Sequence, residues 1–198
     1  MVARESFRYI LPVVIVAVLL QYNFPLYALL FWALAILLLY LFRDSNHSLS
    51  SDPLAILSPV DSVVKSVTKA TDPYLEREVV CIEFEMALTD PYTLYSVTEG
   101  KIANFWMQPK GEHKGKARAV WIQTDEGDDV VMEVYASRSG QIMCYYAAGE
   151  RVGQGKKCGF LPFGSKVILY LPETSLIDVK PGEHVLAGKD IVAHWPRS

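Results

Sequence analysis

Ser165 is the side chain whose type and setting most invite covalent chemistry. It follows Gly164 in Phe163-Gly164-Ser165-Lys166-Val167, and this segment lies between two copies of one short motif. Gly149-Glu150-Arg151-Val152-Gly153-Gln154-Gly155-Lys156 precedes it, and Gly182-Glu183-His184-Val185-Leu186-Ala187-Gly188-Lys189 follows it. A serine oxygen is a nucleophile and, once acylated, a leaving group on the β carbon. A Gly-Ser pair before a strand is also an ordinary turn or β-bulge. Groups that titrate near neutral pH are few. His47 lies in a polar linker, His113 in a Lys/Gly loop that could fold over a site, His184 in the second motif copy and His194 near the C-terminus. Cys81, Cys144 and Cys158 are odd in number and lack metal-ligand spacing, so they read as buried thiols of a reducing compartment, and no metal is expected.

The elements that would hold Ser165 are mostly strands. Runs such as Ser62–Val67, Val79–Phe84, Ala119–Thr124, Val130–Tyr135, Gln141–Tyr146 and Lys166–Leu171 are rich in β-branched and aromatic residues. Their spacing of roughly 8–12 residues suggests a sandwich or barrel rather than a parallel α/β sheet. No helical period is evident after Phe42, and Gln108–Arg118 reads as an exposed loop. In each motif copy the first Gly suits a tight turn, the Val buries beneath it and the later Gly opens a second turn. Paired turns of this kind occur in barrel-sandwich folds. The expected fold is therefore mainly β, a barrel-sandwich-hybrid-like domain over residues 54–198. Lys69 faintly suggests a carrier attachment lysine, but a carrier lysine belongs between the paired turns, where Gly164-Ser165-Lys166 lies.

The first 43 residues differ in kind. Hydrophobic residues make up 51% of the chain, with the excess near the N-terminus, and no charge occurs from Tyr9 to Phe42. Gln21-Tyr22-Asn23-Phe24-Pro25 divides this stretch into two apolar runs, Tyr9–Leu20 and Leu26–Phe42. Two short transmembrane helices forming a hairpin fit best, ahead of a single tilted or re-entrant span and of a cleaved signal, for which no small-x-small site precedes the second run. Arg4 and Arg8 before the hairpin and Arg43 after it place both ends in the cytoplasm. Residues 44–53 form a polar linker. A net charge of −3 without a basic stripe argues against nucleic acid as a partner.

Three stretches in this order resemble the phosphatidylserine decarboxylase family, over nearly the whole chain: Phe42-Arg43-Asp44 followed by Leu57-Ser58-Pro59-Val60-Asp61; Ile142-Met143-Cys144-Tyr145; and Phe163-Gly164-Ser165-Lys166-Val167. The similarity is closest to the short, membrane-anchored bacterial and archaeal type. The resemblance implies that Ser165 attacks the Gly164 carbonyl, that β-elimination splits the chain between residues 164 and 165, and that Ser165 becomes a pyruvoyl group. That ketone would take up the amine of phosphatidylserine and accept the electrons released as CO2 leaves. The resemblance makes Asp61 the acidic residue that assists self-cleavage. It aligns Tyr92 with the family's histidine and Tyr95 with a second histidine of longer members. A phenol titrates near 10 rather than near 6.5, so neither tyrosine can replace an imidazole as a base at neutral pH.

Two functions are open at this point. One is a carboxy-lyase of phospholipid biosynthesis at the inner membrane, its domain on the cytoplasmic side, converting phosphatidylserine to phosphatidylethanolamine with Ser165, Gly164, Asp61 and Tyr92 at its site. The other is a degenerate family member that serves as a membrane-anchored lipid-binding or structural module. The short linker would hold the site near the bilayer, with Phe105, Trp106 and Met107 as an apolar lip or simply as core. Oligomeric state is not legible.

Overall fold

The computed structural model describes residues 6–43, 52–108, 110, 116–137 and 140–196, with the side chain of Ser165 excepted. The chain divides into two compact units, Met1–Asn46 and His47–Ser198.

The first unit is a helical hairpin, α1 (Phe7–Asn23) and α2 (Pro25–Leu41). The break is narrower than the sequence suggested. Phe24 alone leaves the helical conformation, and Pro25 opens α2, where a missing N–H costs nothing. Ala17, Ala28 and Ala35 are buried, as small residues are where two helices pack closely, while Leu19, Tyr22, Leu26, Leu29, Leu30 and Ile36 are exposed. Each helix has 17 residues, about 25 Å at 1.5 Å per residue, against about 30 Å of bilayer hydrocarbon. Among the described residues no helix is long and apolar enough to cross a membrane, which corrects the expectation of two transmembrane helices.

The second unit is mainly β. Its strands are β1 (Ala55–Leu57), β2 (Ser62–Thr71), β3 (Glu78–Glu85), β4 (Thr93–Tyr95), β5 (Gly100–Trp106), β6 (Lys116–Gln123), β7 (Asp129–Ala136), β8 (Met143–Cys144), β9 (Arg151–Val152), β10 (Lys157–Phe160), β11 (Gly164–Pro172), β12 (Leu176–Ile177), β13 (His184–Val185) and β14 (Ile191–His194). Eight of them form one sheet in the order β13-β2-β3-β11-β7-β6-β5-β9, and two small sheets run β4-β10-β8 and β1-β14-β12. Of the predicted run Gln141–Tyr146, only Met143–Cys144 pairs as a strand.

The large sheet repeats itself about the β11/β7 junction. In β2–β3, Val63 pairs with Glu85 and Val64 with Phe84, then a bulge precedes Ser66↔Glu83. In β5–β6, Lys101 pairs with Gln123 and Ile102 with Ile122, then a bulge precedes Asn104↔Trp121. The motif copies cap the two edges alike: Val185 pairs with Ser62, and Val152 with Gly100. Their glycines match as well, with φ of 95° and 89° at Gly149 and Gly182, and 65° and 66° at Gly155 and Gly188. The alternation of apolar side chains buries Ile82, Phe84, Val167, Leu169, Val130 and Met132 on one face. On the other face Glu133 is fully buried. It accepts hydrogen bonds from Tyr74 (2.5 Å) and Tyr170 (2.8 Å), which satisfies a carboxylate that would otherwise be costly there.

Candidate active site

β11 is a central strand, bonded to β3 on one side and to β7 on the other. The Gly164–Ser165 bond is its first peptide. Gly164 pairs with Ala136 and Lys166 with Tyr135, so Ser165 is the extra residue of a β-bulge. Phe163, just before it, has φ +55°, a left-handed conformation that costs an ordinary residue about 1–2 kcal/mol. Packing holds it there. Its carbonyl accepts the Ser137 N–H (3.1 Å), and its ring centroid lies 5.6 Å from that of Tyr92. Gly164 is needed because a Cβ would lie 2.6 Å from Leu161 Cδ2 and 2.9 Å from the Met86 sulfur. Gly140 itself lies close against the same segment, since a Cβ there would come within 2.7 Å of the Pro162 carbonyl oxygen.

Asp61 precedes β2 at the same end of the sheet. Val63 and Lys166 both pair with Glu85 of the intervening strand. Asp61 and Ser165 are thus two strand spacings apart, about 10 Å along the backbone. Asp61 is 7% exposed, and its Oδ1 accepts the Ala187 N–H of the second motif at 2.6 Å. The loop before it is held by Tyr95 N–H to the Pro59 carbonyl (2.9 Å) and by Gly188 N–H to the Ser58 carbonyl (2.9 Å).

Tyr92 is 1% exposed. Its hydroxyl donates to the Leu88 carbonyl at 2.6 Å, and its own carbonyl accepts the Leu161 N–H at 2.7 Å. Burial, aided by the Asp90 charge, pushes the phenol above its ordinary range. Tyr92 therefore stays neutral and supports the strained Phe163 rather than taking up a proton. Asp61, Tyr92 and the Gly164–Ser165 backbone thus gather at one end of the sheet.

The two described histidines, His184 and His194, are on β13 and β14. His194 contacts Asp178 (2.6 Å) and Asp52 (3.4 Å) on β14. His184 is exposed beside Val63, and among the described histidines it is the one whose register brings it near Asp61. His47, His113 and the side chain of Ser165 lie outside the described residues. Lys69 is an exposed residue of β2, ion-paired to Glu173 at 2.6 Å. The expected apolar lip divides. Met107 is exposed, Trp106 packs on Tyr74 with centroids 4.8 Å apart, and Phe105 lines an apolar cavity of about 20 Å³ inside the fold. The sequence pattern did not reveal the roles of Ser137 and Gly140 beside Phe163; the glycine at 140 was the available signal.

The phosphatidylserine decarboxylase family model matches residues 34–193. The chain is 32% identical over 205 residues to the phosphatidylserine decarboxylase proenzyme of Nitrosomonas europaea, covering 98% of this chain and 95% of that protein. It is 31% identical over 208 residues to the proenzyme of the same name from Burkholderia cenocepacia, covering 97% and 95%. No solved structure matches it. A match that takes in the Asp61 loop, the Tyr92 segment and the bulged Gly164–Ser165 bond together leaves one conclusion: this chain belongs to the phosphatidylserine decarboxylase family.

Proposed function

We propose that the chain cleaves itself between Gly164 and Ser165 and decarboxylates phosphatidylserine to phosphatidylethanolamine. The observation that carries this is the start of β11, where a left-handed Phe163, a glycine without room for a Cβ and a bulged serine follow one another inside a central strand. Strain held in one peptide by packing on all sides favours a reaction that relieves it. The residues fit a pyruvoyl group, because the only side chain such a group needs is the serine already at that position. When present, it would supply a ketone that holds the substrate amine and accepts electrons as CO2 departs.

The remaining work falls to this chain's own groups. Asp61 is the buried carboxylate at this end of the sheet, oriented by the Ala187 N–H, and assists self-cleavage by supporting the group that takes the hydroxyl proton from Ser165. The Ser137 N–H holds the Phe163 carbonyl and so fixes the peptide that leads into Gly164. Tyr92 keeps its proton and buttresses Phe163. The paired turns support the barrel-sandwich reading of the β domain. The hairpin suits a membrane without crossing it: no residue from Tyr9 to Phe42 is charged, and most of its large side chains face outward. Its basic flanks support seating in the inner membrane from the cytoplasmic side.

Intact mass tests the central claim. The wild-type chain should appear as two fragments split at Gly164–Ser165, the smaller with a blocked N-terminus, and Ser165→Ala as one full-length chain. A single full-length mass for the wild type would overturn self-cleavage.

A further inference from the structure

We propose that Lys116 and Arg118 form the subsite that holds the phosphodiester of the lipid substrate, an inference that rests on the decarboxylase reading. Both line an open groove of about 400 Å³ together with Met107, Gly140, Gln141 and Ile142. The register fixes where this groove lies. Gly164 pairs with Ala136, and Ala136 pairs with Lys116, so the three share one row and one face of the sheet. Lys116 is therefore two strand spacings, about 10 Å of backbone, from the bond that is to be cleaved. Arg118 pairs with Val134 on the same face, one step further in.

The groove wall is also joined to the site directly. Lys116 Nζ lies 3.5 Å from the Gly140 carbonyl oxygen. The Gly140 N–H bonds the Ser137 carbonyl (2.9 Å), and the Ser137 N–H bonds the carbonyl of Phe163 (3.1 Å). Among the described residues no ion pair occupies Lys116 or Arg118, and the Arg118 guanidinium reaches only the Cys144 thiol. A planar guanidinium beside an ammonium is the donor set that phosphate oxygens prefer.

The dimensions agree with the substrate. In a phosphoserine head group four covalent bonds separate the amine nitrogen from phosphorus, a span of about 5 Å. A lysine based about 10 Å from the reacting bond and extending back along the groove closes that interval. The apolar cavity behind the groove, about 20 Å³, has room for roughly one water. Acyl chains cannot enter it, so the tails leave past exposed Met107. Charge across the domain favours the same direction of approach. A second groove, at the opposite end of the sheet, is lined by Glu99, Asp125, Glu126 and Asp128, which repel a lipid anion.

Titration of dihexanoylphosphatidylglycerol, an anionic phosphodiester without an amine, into the full chain in non-ionic detergent tests this apart from the chemistry. Lys116→Gln/Arg118→Gln should bind it at least about tenfold more weakly than wild type. Arg118→Lys, which keeps the charge and loses the fork, should fall between. Matched thermal melting curves would show that the variants are folded. Inorganic phosphate should compete only weakly. Equal binding by wild type and the double variant, or none by wild type, overturns the subsite. Inorganic phosphate binding as tightly as the lipid would make it a free-phosphate site and overturn the lipid assignment. Lipid binding that depends on Lys116 and Arg118 in a chain that produces no phosphatidylethanolamine leaves the subsite standing and removes the decarboxylase. An unchanged KM for phosphatidylserine in the double variant does the reverse.

Discussion

The two ends of the large sheet share a backbone plan and differ in what surrounds one glycine. By register, Asp61 corresponds to Glu99, and the Gly164–Ser165 bond corresponds to Gly127–Asp128. At the second position the chain turns tightly from β6 into β7. Thr124 N–H bonds the Asp128 carbonyl (2.8 Å), the Gly127 N–H bonds the Thr124 carbonyl (3.2 Å), and Gly127 takes φ +91° with nothing within 4 Å of where a Cβ would lie. That glycine relaxes its turn in solvent. Gly164 is enclosed by Leu161 and Met86, and the positive φ falls on Phe163 instead, a residue that pays a steric cost for it. Asp61 is buried, whereas Glu99 is exposed over an acidic groove of about 810 Å³. One scaffold thus carries a solvated turn at one end and a packed, strained bond at the other. The difference comes from local packing rather than from the fold.

The largest expected effect follows from the two carboxylates. Asp61→Asn preserves an oxygen for the Ala187 N–H and removes the charge that supports proton removal from Ser165, so self-cleavage should slow at least about 100-fold. Glu99→Gln should cleave at the wild-type rate, since its carboxylate faces water at the other end. A time course of fragment appearance measures both. Equal rates for Asp61→Asn and wild type would break the proposed division of labour between the two ends.

Parts of this plan are legible in the sequence. The two motif copies are, because Gly, Glu, Val and Gly recur at fixed offsets and each does the same physical work: Glu150 accepts from Ala147 N–H (2.8 Å) as Glu183 does from Lys180 N–H (3.1 Å). Gly164-Ser165 is legible as chemistry through its resemblance to a family. The repeat of β2–β3 in β5–β6 is not, because Ser58-Pro59-Val60-Asp61 and Ser96-Val97-Thr98-Glu99 share a backbone and few side chains. Nor is the state of Tyr92, whose burial and bond to Leu88 come from residues that pack only when the chain is folded. The hairpin was legible as two apolar helices, but helix length is decided by where the turn narrows, and it narrowed to Phe24.

Val152 and Val185 sharpen the comparison at an intermediate scale. They are 2% and 3% exposed beneath matching turns, and truncating either to Ala should cost about 2 kcal/mol, read by denaturant titration. The costs should agree, because the packing is the same. Only Val185→Ala should also slow self-cleavage, because its turn carries the Ala187 N–H that orients Asp61. Equal slowing by Val152→Ala would mean that the effect is one of general stability.

The smallest effect probes whether the two turns are equivalent as scaffolds. Gly155 and Gly188 have φ of 65° and 66°, and their N–H groups bond the Ser96 and Ser58 carbonyls, each at 2.9 Å. Alanine in this region costs about 1 kcal/mol, and asparagine should recover part of that because its short amide tolerates the left-handed conformation. Gly155→Ala and Gly188→Ala should therefore lower stability alike, with Gly→Asn milder at both. If Gly188→Ala is the more damaging while Gly188→Asn is not milder, the loss is steric crowding around Asp61 rather than backbone conformation. The packing that separates the two ends would then extend into the turns themselves.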